Sequence, residues 1–246
     1  MAEKAGLTLM LAIVPARAGS KGVPGKNTAL IGGIPLIHYT IAALEGAACV
    51  SDIILTTDDP AIMELYRHRA GTFTIDRPLE LANDEATTAS VIRHALHAWK
   101  DAGRQVPNVL LLAQPTTPLR LASDIEAAFK LFKSKGGPSL ISACRAEGIR
   151  HPRVMYRVAS GELRGSPFMA TAEPTRRQEY EDVYQRNGAI YMVTAEFFGK
   201  TSLMRNDAPL IYEMPWERSI NIDVPGDLLI AKALIESGLV STERSP

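Results

Sequence analysis

The chain has 246 residues, 46% of them apolar, and its 27 Lys and Arg are balanced by 27 Asp and Glu. This length suits one α/β domain with a core of ordinary size. The formal net charge of zero gives no support for a nucleic-acid partner or for binding to a membrane surface. No apolar run approaches the length of a membrane span.

The N-terminus resembles a secretory signal, because Lys4 precedes an apolar run and Ala16-Arg17-Ala18 imitates a cleavage site. Glu3, however, cancels the charge of Lys4, the apolar run is short, and cleavage would remove Arg17 from a cationic loop. We therefore predict a first strand and a cytoplasmic protein. The two cysteines lie in apolar surroundings without metal-ligand spacing, which fits a reducing compartment.

Strand and helix signals alternate through the first part of the chain. Apolar and β-branched runs predict strands at residues 9–14, 53–56, 72–75, 109–113 and 140–143. Helical spacing predicts helices at residues 35–47, 86–100 and 127–132. Another helix is expected to open at Pro60 with Asp59 as its cap, and Ser123 and Glu126 form a predicted capping box. This alternation predicts an α/β fold with a doubly wound, mostly parallel sheet.

The pattern changes between about residues 145 and 186, where charge and turn residues rise and periodicity is lost. We predict an excursion from a single domain that spans residues 1–246, in the form of a hairpin or arm. Such segments often make dimer contacts or cover substrates, and we expect a homodimer. The chain then returns with predicted strands at residues 189–193 and 220–224 and a helix at 225–236.

The loop at residues 15–27 follows the first strand and contains three glycines, two lysines and one arginine. Glycines let backbone N–H groups approach an anion, and the cations neutralise its charge. The loop lacks the Ser or Thr that follows Gly-Lys in a Walker motif, and its G-x-x-G-x-x-G spacing is not that of a dinucleotide site. It predicts a site for a nucleotide triphosphate, with a basic surface turn as the alternative.

Asn221 and Asp223 lie two residues apart in a segment that alternates polar and apolar residues. On a strand, both side chains would project to one face, where their oxygens suit Mg²⁺ or Mn²⁺ beside substrate phosphates. The alternative is that Asp223 only caps the helix that begins at Pro225. Two other pairs are weaker: Asp58-Asp59 is better explained by a helix cap, and His94 and His97 by ordinary helix positions.

Gln114 ends a predicted buried strand just before a Pro-Thr-Thr-Pro turn. This is the carboxyl edge of a parallel sheet, where ligands bind in open α/β folds. Thr87 and Thr88 lie at a predicted helix start, and they fit either phosphate contact or plain capping.

The loop sequence A-R-x-G-S-K-G-x-P-x-K-N resembles the nucleotide-binding signature of the CMP-sialic acid synthetases, the acylneuraminate cytidylyltransferases. Further matching blocks follow in the same order and extend the resemblance from about Leu9 to Leu234. They are Arg77-Pro78 with Glu80-Leu81-Ala82, Gln114 to Arg120, Asn187 to Tyr191, and Ser219 to Asp223.

The resemblance implies a nucleotide-diphospho-sugar transferase-like fold and a reaction in which CTP and a nonulosonate-type 2-keto-3-deoxy sugar acid give a CMP-sugar and pyrophosphate. It implies that Arg17, Lys26 and Asp223 are catalytic, and that Gln114, Arg177 and Arg186 bind the sugar acid. The residues predicted to bind the nucleotide are Ala16, Arg17, Gly19, Ser20, Lys21, Gly22, Lys26, Asn27, Arg77, Thr87 and Thr88.

The chain departs from the family at Asn221, where the usual pattern has a second Asp. Asp223 is therefore the principal predicted metal ligand and Asn221 the secondary one. Two alternatives stay open: a Kdo-type or other sugar nucleotidyltransferase of the same fold, and a nucleotide-sugar-binding protein that has lost catalysis. The sequence does not identify the sugar acid among neuraminate, legionaminate, pseudaminate and related compounds.

Overall fold

The computed structural model describes residues 9–158, 165–169 and 180–242. Its strands are β1 (Met10–Ala16), β2 (Leu30–Ile31), β3 (Ile34–Pro35), β4 (Val50–Thr57), β5 (Thr72–Asp76), β6 (Val109–Leu112), β7 (Ser139–Arg145), β8 (Tyr156–Val158), β9 (Gly165–Pro167), β10 (Tyr184–Thr194) and β11 (Leu210–Glu213). Its helices are α1 (Leu36–Gly46), α2 (Pro60–Tyr66), α3 (Thr88–Asp101), α4 (Ala122–Lys135), α5 (Ala195–Thr201) and α6 (Pro225–Glu236). Across these described residues, no helix combines the length and apolar content that crossing a membrane requires.

Seven strands form the central sheet in the order β11-β7-β10-β6-β1-β4-β5. β1 is parallel to β4 and β6, β4 is parallel to β5, and β11 is parallel to β7. β10 is antiparallel to both of its neighbours, β6 and β7. The expectation of a mostly parallel α/β sheet is thus confirmed, while the reversed direction of β10 was not foreseen.

The sheet is covered on both faces, as the alternating strand and helix signals predicted. In β1, Met10, Ala12 and Val14 join a core cluster with residues of α1, α2 and α4. Leu11 and Ile13 point to the other face and pack with residues of α3 and α5. Because β1 is buried on both sides, its sequence is a continuous apolar run rather than an alternating one.

A third core cluster ties together the loops at one edge of the sheet. Val23 of the cationic loop, Ile31 of β2, and Ile220 and Ile222 pack with the apolar side of α6. Burial of these side chains fixes the cationic loop and the 220–222 segment against the same helix. The site loops therefore have a hydrophobic support of their own, separate from the two faces of the sheet.

Two local predictions are wrong. Residues 220–224 form no strand; the N–H of Ile222 instead donates to the carbonyl of Thr116 at 2.7 Å. The segment packs on α6 rather than adding to the sheet.

The start of α4 also differs, because the Asp124 carboxylate accepts from the N–H of Leu121 at 3.0 Å. Glu126, predicted to complete a capping box with Ser123, accepts from the N–H of Ala48 at 2.9 Å.

The antiparallel pair β8–β9 lies within the segment that was predicted to leave the sheet as a hairpin or arm. It ends earlier than expected, because β10 begins at Tyr184. Arg186 therefore belongs to the central sheet, where it pairs with Ala143 of β7, and not to the excursion. Arg177, the other arginine predicted to bind the sugar acid, lies outside the described residues.

Candidate active site

A cleft of about 380 Å³ opens at the carboxyl edge of the parallel strands. This sheet-edge cleft lies beside the loop after β1, the turn after β6, the loop between β5 and α3, and the segment before α6. The predicted site residues that line it are Arg17, Ser20, Lys21, Gly22, Lys26, Asn27, Arg77, Thr88, Gln114 and Asp223. Residues from four separate parts of the sequence thus meet where the parallel-sheet rule places a ligand.

The backbone of the cationic loop is held by two polar side chains. Asp58, at the end of β4, accepts from the N–H of Ala18 at 2.9 Å. Asn27 is buried and donates through Nδ2 to the carbonyl of Arg17 at 3.0 Å. Asp59 caps α2 by accepting from the N–H of Ala61, as the sequence predicted, so both carboxylates of the Asp58-Asp59 pair bind backbone N–H groups.

Two cations of the loop, Arg17 and Lys21, share one carboxylate. Arg17 Nη2 lies 2.7 Å from Asp84 Oδ1, and Lys21 Nζ lies 2.7 Å from Asp84 Oδ2. Hydrogen bonds from Lys21 and Arg17 hold the pKa of Asp84 below its usual range. Asp84 comes from the loop between β5 and α3, so this contact closes one side of the cleft. No local pattern in the sequence indicates this contact, because the two residues lie 67 positions apart in the chain.

Lys26, in contrast, is buried and anchored to the segment before α6. Its Nζ donates to the carbonyl of Ile222 at 2.5 Å and lies 3.6 Å from Asp223 Oδ1. Asp223 itself remains largely exposed, with 66% of its side chain accessible. Lys26 therefore joins the cationic loop to the predicted metal ligand as well as supplying positive charge.

Gly22 makes a second connection between these two segments. A Cβ built on Gly22 would overlap the carbonyl oxygen of Asp223. The loop and the Asp223 backbone can approach this closely only because position 22 has no side chain.

Gly22→Ala is expected to lower turnover about 10²-fold, because the added methyl group must push the cationic loop away from Asp223. Gly19→Ala is the matched comparison, since a Cβ there meets nothing within 4 Å in the same loop. Steady-state rates of both purified variants, with melting temperatures to show folding, test the difference. Equal rates for the two variants would mean that this close approach has no functional importance.

Asn221 and Asp223 lie side by side although their segment is no strand. Asn221 Nδ2 donates to Asp223 Oδ2 at 2.6 Å. Among the described residues Asp223 does not cap α6, since Val224 is the N-cap residue and Asp227 accepts from the N–H groups of Asp223 and Val224. Asn221 Oδ1 is buried and has no hydrogen-bond partner among the described residues. An orphaned oxygen beside a carboxylate fits the oxygen ligands that Mg²⁺ prefers. Asp223 and Asn221 would hold such an ion.

Arg77 lies at the base of the cleft and is 6% exposed. Its Nη2 donates to the carbonyl of Thr56 at 2.8 Å, and its Nε approaches Thr56 Oγ1 at 3.4 Å. Burial lowers the pKa of Arg77 to about 10, which leaves the guanidinium charged at neutral pH. These contacts with Thr56 of β4 hold the Arg77 guanidinium in one orientation, in which its positive charge and N–H donors are available to a ligand in the cleft.

The two threonines at the start of α3 have different positions. Thr87 caps the helix by accepting from the N–H of Ser90 at 3.1 Å, whereas Thr88 lines the cleft. Of the remaining predicted loop residues, Ala16 is the last residue of β1 and Gly19 is exposed.

A second cavity of about 480 Å³ adjoins the sheet-edge cleft and shares Thr88 and Gln114 with it. Arg186 and Tyr191 of β10 line this second cavity, as does Arg205 after α5. The Arg186 guanidinium lies 5.7 Å from the ring centre of Tyr191. Arg205 was not predicted from the sequence, because the segment between α5 and β11 carries no recognisable motif. A larger cavity, about 780 Å³, lies at the excursion, and the described residues that line it are different from those of the cleft and the second cavity.

Asn187 supports the boundary between the two cavities from inside the protein. Its side chain accepts from Ser142 Oγ at 2.6 Å and donates to Ser219 Oγ at 2.9 Å. The next residue, Gly188, has φ +80°, and a Cβ there would lie 3.1 Å from Gln114 Oε1. The Asn187-Gly188 block thus sets the approach of β10 to Gln114, which explains why this motif needs both residue types.

The profile of the family described as cytidylyltransferase matches residues 11–196, which contain most of this site. The chain belongs to the cytidylyltransferase family. It is 29% identical over 221 residues to an N-acylneuraminate cytidylyltransferase of Streptococcus agalactiae serotype V, a match that covers 89% of this chain and 51% of that protein. The chain therefore spans about half the length of such relatives.

Another member of the family matches along almost its whole length. The CMP-N,N'-diacetyllegionaminic acid synthase of Legionella pneumophila is 30% identical over 235 residues, covering 92% of this chain and 96% of that protein. Among solved structures, a CMP:2-keto-3-deoxy-manno-octonic acid synthetase complexed with CTP has a TM-score of 0.66 at 18% identity. That match covers 94% of this chain and 99% of the other, and it confirms the predicted α/β fold.

Proposed function

We propose that this protein transfers CMP from CTP to a nonulosonate-type 2-keto-3-deoxy sugar acid and releases pyrophosphate. The observation that carries the proposal is the sheet-edge cleft, in which a glycine- and cation-rich loop faces Asp223. The adjoining second cavity contains arginines that suit an acidic sugar. The family membership and the names of the relatives agree with this reaction.

The anomeric hydroxyl of the sugar acid attacks the α-phosphate of CTP, and pyrophosphate leaves. Arg17 and Lys21 bind phosphate oxygens and stabilise the charge that develops on the leaving group. Lys26 holds the loop against Ile222 and adds positive charge to the cleft. Ser20 and the N–H groups of Gly19 and Gly22 donate hydrogen bonds, while Asn27 and Arg77 contact the nucleoside.

A divalent cation, Mg²⁺ or Mn²⁺, would supply further charge neutralisation to the phosphates. Asp223 is its main protein ligand in this proposal, and the Asn221 carbonyl oxygen is the second. Both residues offer oxygen, and cations of this kind keep several waters and use few protein carboxylates when substrate phosphates are present.

The sugar acid is assigned to the second cavity. Gln114 lies on the boundary of both cavities, so a sugar held by its amide would lie next to the phosphates. Arg186 pairs with the carboxylate of the sugar acid, and Arg177 is proposed for the same role. The apolar part of the second cavity, with Leu203 and Met204, suits an N-acyl group.

CTP is expected to be strongly preferred over UTP and ATP, because Arg77 and Asn27 are fixed in one orientation at the base of the cleft. Pyrophosphate release should be measured for each nucleotide with a saturating sugar acid. Equal turnover with UTP or ATP would reject the cytidylyl assignment while leaving nucleotidyl transfer possible.

The same assay with a panel of neuraminate, legionaminate, pseudaminate and Kdo identifies the acceptor. The N-acyl-bearing acids are expected to react and Kdo to react poorly. A marked preference for Kdo would support the alternative Kdo-type activity, and binding of CTP without turnover of any acid would support a binding protein that has lost catalysis.

We also propose that the chain forms a single domain and that the protein is a cytoplasmic homodimer. The two copies would associate through the excursion. Ile149 is 87% exposed and Tyr156 is 65% exposed in this part of the chain, and exposed apolar side chains of this size are common at protein interfaces. Light scattering of the purified protein, compared with an Ile149→Ser and Tyr156→Ser double variant, tests the assembly.

A further inference from the structure

The carboxylate of Asp84 binds two cations of the phosphate-binding loop at once, with one oxygen on Arg17 and the other on Lys21. All three residues line the sheet-edge cleft. We propose that Asp84 is an internal counter-anion, which the triphosphate displaces on binding and which returns to the two cations as pyrophosphate leaves. This inference rests on the proposed function for the identity of the triphosphate.

The turn that carries Asp84 is built to present this carboxylate without support from the cations. Asn83 Oδ1 accepts from the N–H groups of Glu85 and Ala86, both at 2.9 Å, and Asn83 Nδ2 donates to the carbonyl of Glu80 at 3.1 Å. Because these bonds are local, the Asp84 side chain can leave Arg17 and Lys21 while the turn keeps its shape.

The exposure of the three side chains makes the contact easy to replace. The exposed fractions are 31% for Arg17, 82% for Lys21 and 45% for Asp84. Ion pairs at such exposure are weak and are screened by salt. A triphosphate carries more negative charge than one carboxylate, so it can take over both cations. Lys26 differs, because its ammonium is buried and bound to the carbonyl of Ile222.

When an internal contact must break before a ligand binds, the apparent affinity for the ligand falls by a factor set by the equilibrium between the closed and the broken contact. Two weak, exposed ion pairs correspond to a factor of about three to ten. Asp84 is therefore expected to weaken CTP binding by this factor and to assist the release of pyrophosphate by the same competition. If Asp84 instead held Arg17 and Lys21 in place for the ligand, removal of its charge would weaken CTP binding.

The test is calorimetric titration of Asp84→Asn and wild type with CTP and, separately, with inorganic tripolyphosphate, in the absence of sugar acid. Asp84→Asn is expected to bind both ligands about three- to tenfold more tightly, with a smaller gain at high salt. Glu85→Gln is the matched control: it makes the same charge change one residue away, and Glu85 takes part in none of the ion pairs among the described residues. Its affinity is expected to change much less.

Unchanged or weaker binding by Asp84→Asn overturns the proposal, as does an equal gain in Glu85→Gln, which would show a general charge effect. Titrations with and without Mg²⁺ add one further outcome: a loss confined to the Mg²⁺ series would make Asp84 a metal ligand and also overturn it. In turnover assays, inhibition by pyrophosphate is expected to strengthen by the same factor in Asp84→Asn.

The proposal and the cytidylyl assignment fail separately. Tripolyphosphate contains no base, so its tighter binding to Asp84→Asn would support the counter-anion even if UTP or ATP were used equally well. Conversely, CTP-specific turnover with unchanged affinities in Asp84→Asn would reject the counter-anion and leave the proposed reaction intact.

Discussion

Asp223→Ala is expected to lower turnover by more than about 10³-fold with little change in melting temperature. Its carboxylate is the main oxygen ligand proposed for the divalent cation. Without this ligand, the cation would no longer be held where it neutralises the negative charge of the phosphates. The fold should survive, because the side chain is largely exposed and the backbone contact with Gly22 does not involve it. Pyrophosphate release across a Mg²⁺ titration is the measurement.

Asp101→Ala serves as the control for this variant, since it removes an exposed carboxylate at the end of α3 and away from the cleft. It is expected to retain normal turnover. If Asp223→Ala kept more than about a tenth of the wild-type rate, Asp223 would not be the principal ligand. Full activity of the wild type in excess chelator would remove the divalent cation from the proposal altogether.

Asn221→Asp sharpens the same experiment. In the present chain Asn221 Nδ2 donates to Asp223 Oδ2, so the variant replaces a hydrogen bond by two neighbouring carboxylates. Like charges this close repel each other unless a cation lies between them. The melting temperature of the variant is expected to fall without Mg²⁺ and to recover when Mg²⁺ is added, while turnover is retained. A melting temperature that does not respond to Mg²⁺ would count against a metal at this pair.

Arg17→Ala is expected to lower kcat/KM by about 10²–10³-fold, the usual effect of removing one well-placed donor from a developing negative charge. The guanidinium is paired with Asp84 at the mouth of the cleft, and the proposed reaction places phosphate there. The loop itself should persist, because Asn27 binds the carbonyl of Arg17 and not its side chain.

Arg67→Ala provides the comparison for Arg17→Ala, because Arg67 is an exposed arginine at the end of α2 that lines neither the cleft nor the second cavity. Its steady-state constants should match those of the wild type. An unchanged kcat/KM in folded Arg17→Ala would exclude Arg17 from the site and would also weaken the case for Lys21.

Several parts of the site could be predicted from the sequence because they depend on local chemistry. The loop after β1 has glycines and cations within a few residues, and Gln114 follows a short buried strand. Since parallel strands end at one edge of a sheet, these two segments had to approach each other. Asp59 was correctly predicted to cap α2, because capping depends on neighbouring residues only.

The contacts between the site residues and distant segments of the chain depended on long-range packing. Residues 219–223 have the alternation of a strand, yet burial of Ile220 and Ile222 against α6 draws them away from the sheet. Asp84 contacts Arg17, which lies 67 residues away in the sequence. Arg186 was predicted to lie in the excursion but belongs to β10. No local period or motif encodes such contacts.

The sequence by itself determined the α/β class, the glycine- and cation-rich loop after β1, the carboxyl-edge position of Gln114 and the resemblance to the cytidylyltransferases. Periodicity, glycine spacing and capping act over a few residues, so they can be recognised without coordinates. Only the tertiary structure decided that Gly22 fits under the Asp223 carbonyl, that Lys26 holds Ile222, and that a second, arginine-lined cavity adjoins the cleft. Those features arise where separate loops pack together, and their geometry depends on the whole core.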